Sequence, residues 1–217
     1  MSDELPAARY AVGIDLGTTN CVMSYMDLLS DTDIPVHETL PVMQLTAPGT
    51  IEERTQLPSF LYLPHEAELS ADDQRLPWNS RTTGFSGVLA RNLGSKTPLR
   101  LVASAKSWLG HGVVNARETF LPLNSPEEVM KVSPFEATRS YLQHLSDAWE
   151  YKFPDYRLAD QDVTITVPAS FDPAARELTA EAARELGLHN LTLLEEPQAA
   201  VYHWLKEAGD DWREQVS

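Results

Sequence analysis

The chain has a single cysteine, Cys21, so no internal disulfide can form. That usage fits a reducing setting and predicts a cytoplasmic protein. Positive charge is scarce: 17 Lys and Arg stand against 32 Asp and Glu, a formal charge of −15 over 217 residues. A surface that acidic argues against a nucleic-acid backbone or an anionic membrane as the main partner. The plain alternative for the charge is solubility. No apolar run approaches the roughly 20 residues a membrane-spanning helix needs. The polar start, Met1 to Arg9, lacks the apolar core of a secretory signal, so the Asn190-Leu191-Thr192 sequon carries no expectation of a glycan. There is no internal repeat and no low-complexity segment. What remains is 42% apolar, enough for a globular chain with a real core, as one domain or two small ones.

The local pattern is α/β. Residues 10–15 and 21–26 read as two strands joined by a tight Gly-Thr-Thr-Asn turn. Both are apolar at nearly every position, which predicts cover on both faces. Residues 40–46 and 57–63 read as further strands, with Pro58 at a strand start or edge. The stretch 65–130 is rich in proline and turn signals, with a helix expected over 98–108. Ser133-Pro134-Phe135-Glu136 is a capping box ahead of a helix whose stripe is Tyr141, Leu142, Leu145, Ala148 and Trp149. A strand at 163–167 and a helix from Asp172-Pro173 to Gly187 follow. A strand at 191–194 and a helix from Glu196-Pro197 to Ala208 complete the series. Strand, helix, strand, helix predicts parallel pairing, and the opening hairpin makes the sheet mixed.

Chemistry gathers at the strand ends. Asp15 closes the first strand, where open α/β sheets place ligands. Gly17 permits close approach of backbone to a ligand. Successive amides in such a turn form an anion-binding nest, to which Thr18, Thr19 and Asn20 add donors. A carboxylate beside a nest suits phosphate accompanied by magnesium, which prefers oxygen ligands and keeps several waters. An ordinary hairpin turn with a solvated Asp reads equally well from the short string alone. Glu196 sits at a strand-to-helix junction, as Asp15 sits at a strand-to-turn junction. Two such carboxylates suit one site, one for the metal and one for a water. A helix cap that complements the helix dipole is the other reading of Glu196, and the two are compatible.

Taken together these stretches resemble the nucleotide-binding domain of the 70 kDa heat-shock proteins, the DnaK-like chaperones. The resemblance rests on "GIDLGTTN" at 13–20, "ITVPASF" at 165–171, "AARELTAEAARELGL" at 174–188 and "EEPQAA" at 195–200. "ASAKSWLG" at 103–110 and "RTQLPSFLYL" at 54–63 support it less specifically. It implies an actin-like ATPase (ribonuclease H-like) fold, a mixed sheet flanked by helices. The implied core subdomain covers about 8–40 and 130–210, with a smaller subdomain inserted at about 41–129. It further implies that Asp15 holds Mg2+ through water and that the Gly17-Thr18-Thr19-Asn20 turn cradles the β- and γ-phosphates of ATP or ADP. Lys106 would contact the γ-phosphate or the attacking water, and Glu196 would orient that water or act as base. Pro168 and Arg176 match a relay that reports nucleotide state to a substrate domain. Without the resemblance, Lys106 reads as a solvated helix lysine and Arg176 as a surface partner within its own helix. The implied parent partners are unfolded polypeptide, a J-domain co-chaperone and a nucleotide-exchange factor.

Ser170 stands where the family commonly has an aromatic, and Gln198 where it commonly has a threonine. Both put the relay in more doubt than phosphate binding. The family's second glycine-rich phosphate loop has no counterpart, since after Gly187 only Gly209 follows. The expectation is therefore a first lobe only, cut from a longer chain, weak or inactive alone because phosphate chemistry needs charges on both sides. Three other readings compete. They are a bacterial actin-like filament protein, a sugar or glycerol kinase, and a non-enzymatic module that binds a partner.

Overall fold

The computed structural model describes residues 8–31, 36–78 and 84–209. Its spine begins with β1 (Tyr10–Leu16) and β2 (Asn20–Asp27), an antiparallel hairpin in which Leu16 faces Cys21 across the turn. So short a connection permits only antiparallel pairing. A two-residue strand, β3 (Glu38–Thr39), pairs with β2. β4 (Val42–Ala47) and β5 (Thr50–Arg54) form a separate hairpin.

The run expected as one strand over 57–63 is divided. β6 (Leu57–Pro58) pairs with β2, whereas β7 (Phe60–Tyr62) pairs with β8 (Phe85–Ser86) and with β9 (Leu101–Ala103). Ser59 is the residue at which the chain changes sheets. The helix expected over 98–108 is also corrected. Pro98–Arg100 is a single 3-10 turn, β9 follows, and only α2 (Ala105–Leu109) is helical. Pairing of Leu101, Val102 and Ala103 with β7 overrides their helical spacing. Ser104, at φ 55°, separates that strand from α2. Within the irregular stretch lies α1 (Val88–Gly94), which no capping side chain announces.

The last third follows its sequence closely. α3 (Pro134–Lys152) starts at a capping box: the Ser133 hydroxyl accepts from Glu136 N at 3.0 Å, and Ser133 N donates to the Glu136 carboxylate at 2.7 Å. Ser133→Ala is expected to lower the unfolding free energy by about 1 kcal/mol, read from urea titration, because one orphan helix donor loses its acceptor. β10 (Asp162–Val167), α4 (Pro173–Arg184), β11 (Leu191–Glu195) and α5 (Glu196–Ala208) complete the chain. β11, β10 and β1 run parallel, so the main sheet, ordered β11-β10-β1-β2-β3 with β6 also on β2, is mixed as expected.

One face of this sheet is fully packed. Tyr10, Val12, Ile14 and Leu16 of β1, Cys21, Met23 and Tyr25 of β2, and Val163, Ile165 and Val167 of β10 are all buried. They meet the predicted stripe of α3, and Tyr10, Tyr25, Trp149 and Phe153 form an aromatic cluster. The opposite face is not covered as the apolar strands suggested. Ala11, Gly13 and Thr164 are half-buried there and Asp15 is exposed. On that face small and polar residues predominate, beside the half-buried Val22, Met26 and Leu194. A second, smaller cluster joins Leu45, Tyr62, Phe85, Leu89 and Ala90. Among the described residues no helix is long and apolar enough to cross a membrane.

Candidate functional site

Because β1, β10 and β11 are parallel, Asp15, Val167 and Glu195 come to one edge of the sheet. Ligands in open α/β sheets bind beyond such an edge. Asp15 and Thr166 are register partners on neighbouring strands, and the Thr166 hydroxyl donates to Asp15 Oδ1 at 2.8 Å. Thr166 escaped the sequence reading, since only the parallel register reveals it.

The turn after Asp15 is tight. A Cβ on Gly17 would lie 2.3 Å from the Asn20 carbonyl oxygen, so glycine is required by the chain's own backbone. Thr18 and Thr19 are exposed, and Asn20 begins β2. Beneath the turn lies Ser59, 4% exposed. Its N–H donates to Thr19 O at 2.9 Å and its hydroxyl donates to Gly17 O at 2.7 Å. Having given its proton to Gly17 O, that hydroxyl accepts from the Cys21 thiol at 3.3 Å. Burial pushes the Cys21 thiol up to about 12, which keeps it protonated and inert at neutral pH.

Lys106, on α2, is the third component. Its Nζ donates to Glu196 Oε1 at 2.5 Å, although 90 residues separate them in sequence. The Lys106 side chain is 12% exposed and that of Glu196 44%. Gly17, Thr18, Lys106 and Thr166 line one small cleft of about 10 Å³, about the size of one water. The structure thus brings Lys106 to the Gly17 turn and Glu196 to Lys106.

Arg176 does not pair within its own helix. Its Nη2 donates to Glu195 Oε1 at 2.6 Å and its Nε to Phe171 O at 3.1 Å. Phe171 N in turn donates to Pro168 O at 3.1 Å. Hydrogen bonds therefore run from the end of β10 through Arg176 to the start of α5. Two consecutive glutamates hold two cations from different helices, Glu195 taking Arg176 and Glu196 taking Lys106. Ser170 is exposed. Gln198 Oε1 accepts from Glu195 N at 3.3 Å, so this departure closes the start of α5.

Among the described residues no three His, Cys, Asp or Glu side chains gather into a metal cage. Asp15 offers an exposed carboxylate at the turn. That donor set fits magnesium held largely by water and phosphate oxygens rather than by protein.

No protein-family model matches the chain. It is similar to curated relatives named chaperone protein HscA homolog. That of Actinobacillus pleuropneumoniae is 28% identical over 218 residues, covering 94% of this chain and 30% of the relative. That of Tolumonas auensis is 29% identical over 217 residues, covering 94% and 29%. That of Pseudomonas aeruginosa is 31% identical over 207 residues, covering 89% and 28%. The chain therefore spans less than a third of the length of these relatives.

Proposed function

Because the chain belongs to the DnaK-like 70 kDa heat-shock protein family, we propose that it forms the first lobe of an actin-like ATPase domain and holds the phosphate end of ATP with magnesium. The observation that carries this reading is the meeting of Lys106 with Glu196 beside the Gly17 turn, on the edge that Asp15 occupies. In this reading Asp15 holds the metal through water, and the Gly17-Thr18-Thr19-Asn20 turn cradles the β- and γ-phosphates. Lys106 contacts the γ-phosphate, Glu196 orients a water, and Pro168 and Arg176 relay nucleotide state. When bound, the metal supplies charge neutralisation at the phosphates. The cluster of Leu45, Tyr62, Phe85, Leu89 and Ala90 supports counting about 41–129 as an inserted smaller subdomain beside a core of about 8–40 and 130–210.

For the protein as a whole, the relatives' name supports a chaperone. ATP binding and hydrolysis would control its hold on unfolded polypeptide, with a J-domain co-chaperone and a nucleotide-exchange factor as partners and the cytoplasm as its place. A second reading, a lobe whose work is to bind another polypeptide, draws on α5. Val201 is 53% exposed, Tyr202 61% and Trp204 36%, and no residue of this apolar helix is buried.

The test is a titration of the 15N-labelled chain with millimolar magnesium-ATP, followed by amide chemical shifts. The expected shifts fall at Gly17–Asn20, Lys106 and Thr166, with weak affinity because only one side of the phosphate is held. Lys106→Met is expected to weaken this response roughly ten- to hundredfold, since a charge-assisted bond contributes about 1.5–3 kcal/mol. Its unfolding free energy should change by less than about 1 kcal/mol, because the Glu196 partner is well exposed. Shifts confined to other regions, or none, would reject the phosphate site.

A further inference from the structure

We infer that Ser59 is the positioning residue of the phosphate turn, setting the direction in which its amides point; this rests on the phosphate reading of that turn. Ser59 touches no reacting atom. It takes hold of two carbonyls of the turn from one side, Thr19 O through its backbone N–H and Gly17 O through its hydroxyl. The peptide unit is planar and, among the described residues, trans everywhere except at Leu121-Pro122. In a trans peptide the N–H points opposite to the C=O. Drawing Gly17 O inward therefore turns Thr18 N–H away from Ser59, and drawing Thr19 O inward turns Asn20 N–H away. Two alternate donors of the turn are thus aimed by one residue beneath it, and preorganised donors are what an oxyanion requires.

Ser59 is itself fixed. Its carbonyl accepts from the Tyr141 hydroxyl of α3 at 3.1 Å, and its hydroxyl accepts from Cys21, which leaves that hydroxyl's only proton for Gly17 O. Both Ser59 and Tyr141 are 4% exposed, so no water competes freely for these bonds. The residue also sits where the chain passes from the main sheet to the three-stranded sheet, with both neighbours already paired. The backbone half of the grip follows from pairing with β2. The hydroxyl half does not, and alanine would supply the first without the second.

The experiment compares Ser59→Ala, Ser59→Thr and a core control, Leu45→Val in the smaller cluster, each as the full chain. Readouts are magnesium-ATP shifts, amide order parameters at Gly17–Asn20 without nucleotide, and urea unfolding. Ser59→Ala is expected to bind magnesium-ATP about tenfold more weakly, the worth of one hydrogen bond in an equilibrium constant. It should also show lowered order parameters confined to the turn, with Ser59→Thr restoring order and affinity. Leu45→Val should lose stability without either change. If Ser59→Ala proves too unstable to label, Tyr141→Phe, which removes only the hydroxyl anchoring Ser59 O, is expected to show the same two changes in smaller degree. A wild-type chain that responds to magnesium-ATP and a Ser59→Ala chain that responds equally, with the turn equally ordered, overturn the inference alone. A wild-type chain without any response at the turn overturns the phosphate reading and this inference with it.

Discussion

Gly17→Ala is expected to abolish the response of the turn to magnesium-ATP. The Cβ it introduces would stand 2.3 Å from the Asn20 carbonyl oxygen, well inside contact distance. The obstructing atom is backbone, so no rotamer change can clear it. Asn20 cannot retreat either, because Cys21 beside it is paired with Leu16 and Asn20 itself with Pro58. The turn must open, and the carbonyls Gly17 O and Thr19 O leave the grip of Ser59. Each aimed amide donor lost to a bound phosphate costs about 1.5–3 kcal/mol, roughly ten- to hundredfold in affinity. Forcing a methyl group into a closed site costs a further roughly 1–3 kcal/mol of stability. Amide shifts on titration measure the first effect and urea unfolding the second. An alanine chain that keeps the wild-type response would mean that phosphate is held elsewhere.

The largest loss of stability is expected from Trp149→Ala, about 3–5 kcal/mol by the usual cost of truncating a buried aromatic. Trp149 is 0% exposed and meets Tyr10 at 5.4 Å, Tyr25 at 5.7 Å and Phe153 at 4.5 Å between ring centroids. Its indole N–H also donates to Tyr156 O at 2.7 Å, and alanine leaves that carbonyl without its donor. A domain of this kind has roughly 5–15 kcal/mol in all. The variant should therefore unfold at markedly lower urea, or fail to fold, while Leu45→Val, in the other cluster, loses far less. A shift no larger than that of Ser133→Ala would show that the aromatic cluster is not what holds α3 to the sheet.

The contrast between α3 and the 57–109 stretch explains what the sequence could reveal. Ser133, Pro134 and Glu136 lie within one turn of each other, so their capping pattern is local and legible. Trp149 and its stripe follow from helical spacing alone. Leu101 to Ala103 have helical spacing too, but their partners are Phe60, Leu61 and Tyr62, some 40 residues away, and pairing decided the matter. The site divides in the same way. Asp15 and Gly17 stand out because the turn is short. Lys106 is a candidate through family resemblance and Glu196 through its strand-to-helix junction as well, and only the fold shows that they touch. Thr166, Ser59 and Glu195 depend on register, on a change of sheet and on a salt bridge between elements, none of which has a local signature. Arg176 reads as a helix-surface residue until β11 places Glu195 within its reach.

The divided run from Leu57 to Tyr62 has a mechanical consequence. Its first two residues are clamped to β2 and its last three to β8 and β9, with one residue between the clamps. The backbone bends at Ser59, so this one residue carries the whole connection between the two clamps. A displacement of the three-stranded sheet therefore reaches Ser59, directly under the turn, as well as the core into which Leu61 and Val102 pack. Load applied to one sheet is thereby felt at the other as a change in the seat of two carbonyls.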